Sequence, residues 1–251
     1  MLDTAKAHFD EDLQRARDLL EHAESMLQGG LKDDILRAAW MMGVGACDAY
    51  FCDAYADLIA RTLSAKDIQR EIDIPDRLNN LKIPVIAVIR QANGGWRWRM
   101  AARELIENEN VLSLETIKKL FNHFFRDKRK ILTTQTIEAW ILHPRAKCRL
   151  FGITSTQYRA LNSQRKKVAC ETAITQFNQL FEEIFQRRHD CIHNCDRPRT
   201  ALQRISNIQV KKILEDIEFL VCRAQGSLLD EFPIYLESLG FNSITRNRVC
   251  G

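Results

Sequence analysis

Phe9, Leu13, Ala16, Leu20, Ala23 and Leu27 recur at intervals of three and four residues, which draws one apolar stripe along a helix over about residues 2–27. Gln28, Gly29 and Gly30 end it, because glycine readily takes the backbone conformations that follow a helix terminus. A second helix is expected over about 33–63, opening on Asp33 and Asp34, where the helix dipole favours negative charge. Its middle, AAWMMGVGACDAYFCDAYADLIA, is apolar nearly all round and so belongs at the centre of a bundle. The short connection makes these two helices antiparallel neighbours.

From 64 to 161 the periodicity breaks up around Pro75, Pro84, Gly94, Gly95 and Pro144, leaving IDIPDRL, LKIPVIAVIRQ, NGGWRWRM and one helical pattern, SLETIKKLFNHFF. This reads as an insertion between two halves of one bundle and not as an independent domain. A third helix starts near Ser163, its apolar face formed by Ala169 or Cys170, Ala173, Phe177, Leu180 or Phe181, and Ile184. After a polar break, DRPRTALQRISN, a fourth helix is expected over about 207–232, with Val210, Ile213 or Leu214, Ile217, Leu220 or Val221, and Ala224 facing inward. Pro233 should stop it and leave a peripheral tail over 233–251. The expected fold is an all-α four-helix bundle in one domain, its bundle residues 1–63 and 163–232, its insertion 64–161.

Composition narrows the class. Ten glycines and five prolines in 251 residues suit long helices with few tight turns. The opening MLDTAKAHFDEDLQ is acidic and lacks the apolar core of a secretory signal. The longest charge-free run of the second helix, Ala38 to Cys47, has ten residues, against about twenty needed to cross a bilayer. A soluble cytoplasmic protein without membrane contact is expected. The eight cysteines form no CxxC pair and are read as reduced thiols packed as small hydrophobes. Residues 1–60 carry 12 acids and 5 bases, so the net charge of +4 leaves +11 for the rest of the chain, the footprint of a phosphate-bearing partner.

The densest chemistry is RRHDCIHNCDRPR, Arg187 to Arg199, directly after the third helix's apolar face. His189 and His193 share one helical face, as do Cys191 and Cys195, but the two pairs lie about 200° apart and do not make a four-ligand site on an ideal helix. No metal is expected. Arginine and histidine also suit a helix end through the carbonyl dipole, which explains Arg187, Arg188 and His189 without chemistry but leaves His193 and the polarity through Asp196 unexplained. RNA cleavage needs both groups that the segment supplies. RNA carries its own nucleophile, the 2′-hydroxyl; histidine moves protons near neutral pH, and arginine's planar fork stabilises charge on phosphorus. Along an ideal helix Arg188 and His193 stand about 7.5 Å and 140° apart, so one chain does not close both around one phosphate, and a two-fold dimer would bring two of each together.

A bundle whose third helix ends in R188-H189-D190-C191-I192-H193 resembles the HEPN superfamily, whose signature is an arginine, four to six residues, then histidine, with a polar residue after the arginine. The alanine-rich second helix and the irregular middle look most like its RiboL-PSP-HEPN branch. The resemblance covers residues 1–63 and 163–232. It implies a metal-independent endoribonuclease without cofactor, acting as a homodimer in toxin–antitoxin or antiviral settings, with RNA and a cognate antitoxin or regulatory protein as partners. Some members only bind RNA, nucleotides or partner proteins, which is the alternative reading. On this basis Arg188 and His193 are the expected catalytic pair, with His189, Asp190 and Asp48 in support. Arg187, which fits the spacing too, is expected beside Arg197 and Arg199 to hold the RNA backbone. Asp48 lies on the inward track of Met41, Val44 and Cys52 and can orient a motif arginine or cap a structural network. WRWR (96–99) could stack bases, and RDKRK, RAKCR and Gln164–Lys167 could meet phosphates, although solvated faces account for them as well.

Overall fold

A computed structural model describes residues 1–25, 29–79, 98–100, 102, 106 and 112–251. Among them all regular structure is helical, as the all-α reading expects. Helix α1 (Asp3–Ser25) buries the stripe Phe9, Leu13, Ala16, Leu20 and Ala23. It packs along α2 (Gly30–Ile68), with the Phe9 and Tyr50 rings 5.8 Å apart. The Leu2 amide donates to Asp57, pinning the start of α1 beside the far part of α2, so the two run antiparallel. α2 continues past the expected end at Leu63 because Ala65 is still buried against the core.

The segment between α2 and the third long helix folds as short pieces: α3 (Asp76–Asn79), α4 (Leu114–Phe121) with the 3-10 turns Asn122–Phe124 and Asp127–Arg129, α5 (Ile137–Ile141), α6 (Cys148–Phe151) and α7 (Ser155–Arg159). The expected helix at SLETIKKLFNHFF is thus α4 plus one tightened turn, with Ser113 capping it by accepting the Thr116 amide. These pieces do not form a separate body. Phe121 meets Phe51 and Tyr55 of α2, and Trp140 and Phe151 close on Phe177 and Phe219. One apolar core therefore spans the bundle and the described part of the insertion.

α8 (Ser163–Asn194) and α9 (Asn207–Ser238) complete the bundle. α9 approaches α2 closely at Gly43, where an added Cβ would collide with a Leu214 methyl. Two expectations fail at its end. Pro233 does not stop α9, although a proline inside a helix costs about 3 kcal/mol. Phe232 and Leu236, both buried, flank the proline and tie this part of the helix to the core. The following segment is not peripheral either. α10 (Ser243–Cys250), capped by Asn242, buries Val249, whose carbonyl accepts from Arg61 of α2, while the Asn242 amide donates to Gln69. No described helix is long and apolar enough to cross a membrane.

Candidate nuclease site at the end of α8

The RRHDCIHN segment forms the last turns of α8, so its residues divide by helical face. Arg187 and Asp190 are buried; Arg188 is half-buried; His189, Ile192 and His193 are exposed. They divide because the inward track of α8 runs from Phe177 through Phe181 and Ile184 to Arg187.

The buried face holds the chain reversal after the helix. Cys195 (φ 49°) and Asp196 (φ 58°) are both left-handed, a conformation that disfavours non-glycine residues. Asp196, wholly buried, compensates by accepting from Arg37 Nε at 2.8 Å and Arg187 Nη2 at 3.0 Å through one oxygen. Arg37 also donates to the Gln203 carbonyl and Arg187 to that of Arg204, so two guanidinium groups hold the 195–206 segment at both ends. The Arg187 guanidinium lies 4.8 Å over the Trp40 ring, and the Trp40 indole N–H donates to the Ile184 carbonyl. Asp190 accepts from Gln186, Asn194 and Gln203. Arg187, expected to hold RNA, is therefore corrected to a structural residue: its charge is spent inside the protein. Asp190, expected to tune the site, is taken up by Gln186, Asn194 and Gln203 within the same turn.

The exposed face is differently built. The His189 and His193 rings lie 4.4 Å apart on one stripe, with Ile192, 47% exposed, beside them. Arg188 stands at the edge of this stripe, on the wall of a cleft of about 420 Å³ that also borders His189, Phe185, Asn178 and Ser113. Asp48 is half-buried on α2, and its Oδ1 lies 4.0 Å from the Cys52 thiol. Burial holds the Asp48 carboxyl above the usual carboxylate range, and the positive charge of Arg188 works against that rise. Arg188 thus acts on Asp48 through charge, whereas the side-chain contact of Asp48 is with Cys52 of its own helix. Arg197 and Arg199 are exposed just beyond the turn.

The other basic candidates scatter. Arg126 of RDKRK forms a two-point ion pair with Glu231, and Arg149 of RAKCR binds Glu215 and Asp216, so both serve the bundle. Trp96 and Arg97 of WRWR lie outside the described residues; Trp98 and Arg99 are half-buried. Among the described residues no three His, Cys, Asp or Glu side chains gather where a metal ion would sit.

Sequence reasoning missed Arg37, Trp40 and Asp196. A signal for Arg37 existed: it sits on the inward track of α2 with Trp40 and Val44, where an unpartnered charge is too costly to leave. Asp196 had none, since its partners come from α2 and α8. No family model, curated protein or solved structure matches the chain.

Proposed function

We propose that this protein is a metal-independent endoribonuclease of the HEPN type, acting as a homodimer whose shared cleft is lined by the exposed face of α8. One observation carries the reading. Arg188, His189 and His193 are presented toward solvent on a helix end that the neighbouring Arg187, Asp190 and Asp196 hold fixed. A helix end needing only dipole compensation would not require so much internal bracing.

In this reading the ribose 2′-hydroxyl attacks the adjacent phosphorus and the 5′-oxygen leaves, giving a 2′,3′-cyclic phosphate and a 5′-hydroxyl. One imidazole accepts the proton from the nucleophile and a second returns one to the leaving oxygen. His193 of each chain fills one of these roles. Arg188 holds the non-bridging oxygens as charge builds on them, and Asp48 steadies Arg188. His189, packed on His193, limits its rotation. The continuous α8 keeps Arg188 and His193 about 7.5 Å and 140° apart within one chain, which favours a site completed by a second copy. Ile192, apolar and exposed at the centre of the stripe, suits burial between two copies.

The test is RNA incubated with purified protein in EDTA, wild type beside His193→Ala. Wild type should yield cyclic-phosphate ends, and the variant should lose about 100- to 10,000-fold in rate while keeping fold and dimer. Undiminished cleavage by His193→Ala would refute the reading. RNA that is bound but left intact by wild type would make the module a binding protein instead.

A further inference from the structure

A second cleft, of about 640 Å³, opens between the 143–150 segment and α9. Its charges are unevenly matched. Three carboxylates border it, and arginines already hold all three: Arg149 reaches Glu215 at 2.8 Å and Asp216 at 2.9 Å, and Arg17 reaches Glu218 at 2.7 Å. Three cationic groups on the same walls, Arg145, Lys147 and Arg223, make no ion pair among the described residues.

Arg223 is the telling one. It is half-buried, and its Nε is shut off from water without any hydrogen-bond partner. Burial pulls its guanidinium below the ordinary range, with Asp230 and Cys222 opposing that shift only through their charge. A partly desolvated cation with an unpartnered N–H is costly unless an anion completes it. His143 is likewise held below its ordinary value, first by burial and then by the charges of Arg223 and Arg145. Its ring meets Phe219 edge-on at 5.7 Å, and Phe219 and Leu150 add an apolar side to the cleft.

We propose that this cleft binds a phosphate group, with the half-buried Arg223 as its inner anchor and Arg145 and Lys147 as outer clamps. Arginine's fork matches two phosphate oxygens, and exclusion of water strengthens the contact. The volume falls within the range of small-molecule sites, about 300–1,000 Å³, and the apolar side suits the flat ring of a nucleotide. Phe219 packs at the level of Phe177 through Phe151, and Phe177 precedes Arg188 by eleven residues, about 16 Å of helix. The cleft is therefore separate from the α8 stripe, and the proposal does not depend on RNA cleavage. The phosphate comes either from a free nucleotide or from a bound RNA strand.

Calorimetric titration of the full chain with inorganic phosphate, ADP and a twelve-nucleotide RNA distinguishes these sources. Wild type, Arg223→Gln and the surface double variant Arg145→Ser/Lys147→Ser are compared. ADP should bind wild type, with affinity reduced about tenfold or more in Arg223→Gln and several-fold in the double variant. Pocket-dependent binding of RNA but not ADP also supports the phosphate site and assigns it to the strand. Binding that is equal in wild type and the double variant, or no binding of any probe at millimolar concentration, overturns the proposal. The double variant leaves Arg223 in place, so the test holds even where Arg223→Gln fails to fold.

Discussion

Arg187 and Arg188 are neighbours in the chain and have opposite lives. The first lies over Trp40 and is bonded to Asp196 and the Arg204 carbonyl; the second stands half in solvent beside two histidines. Only the 100° of helix between consecutive residues separates these outcomes. On one face charge is used to hold a chain reversal, and on the other it is kept available. Residue type and spacing do not distinguish the two uses, whereas the partners across the core do.

The contrast is sharpest in stability and activity measured on the same variants. Asp196→Ala strands Arg37 and Arg187 together and should cost about 3–5 kcal/mol in urea denaturation. Arg188→Ala should stay within about 0.5 kcal/mol of wild type, yet lose about 100-fold or more in RNA cleavage. Equal destabilisation by the two substitutions would dissolve the distinction between the faces. Trp40→Phe removes only the bond to the Ile184 carbonyl and part of the ring under Arg187, so about 1 kcal/mol is expected from the same assay.

The smallest effect concerns Asp48. Its folded carboxyl titrates above the ordinary value, so the ionised form is penalised on folding. That penalty is absent below the ordinary carboxylate value, grows as pH rises toward the raised one, and is complete above it. Asp48→Asn should therefore be slightly more stable than wild type at pH 7, with the gap closing as the solution is acidified. A gap that widens in acid would mean that Arg188 outweighs burial.

Of the four long helices, three were legible because they repeat their apolar positions over many turns, and α2 because its middle is apolar nearly all round. Their ends were less so. α9 passes Pro233, flanked there by the buried Phe232 and Leu236, and α10 docks through Arg61 and Gln69, contacts between residues 188 and 173 positions apart. At the site, the spacing of Arg188 and His193 was readable, and so was the inward track of Asp48. The role of Arg187 was not, because it rests on Asp196 and Trp40, which neither periodicity nor motif joins to it. The middle segment gave little pattern, since its short helices are positioned by aromatic contacts with α2, α8 and α9 rather than by their own periodicity.

The span of α2 has a practical corollary. Arg37 grips the reversal after α8 near one extremity, and Arg61 holds α10 near the other, about 36 Å away along the same rod. A surface handle fused after Gly251 would thus anchor the molecule by its opposite pole. Immobilised in that orientation, the protein would keep both histidines pointing into the bulk, open to a strand or to a second copy arriving from solution.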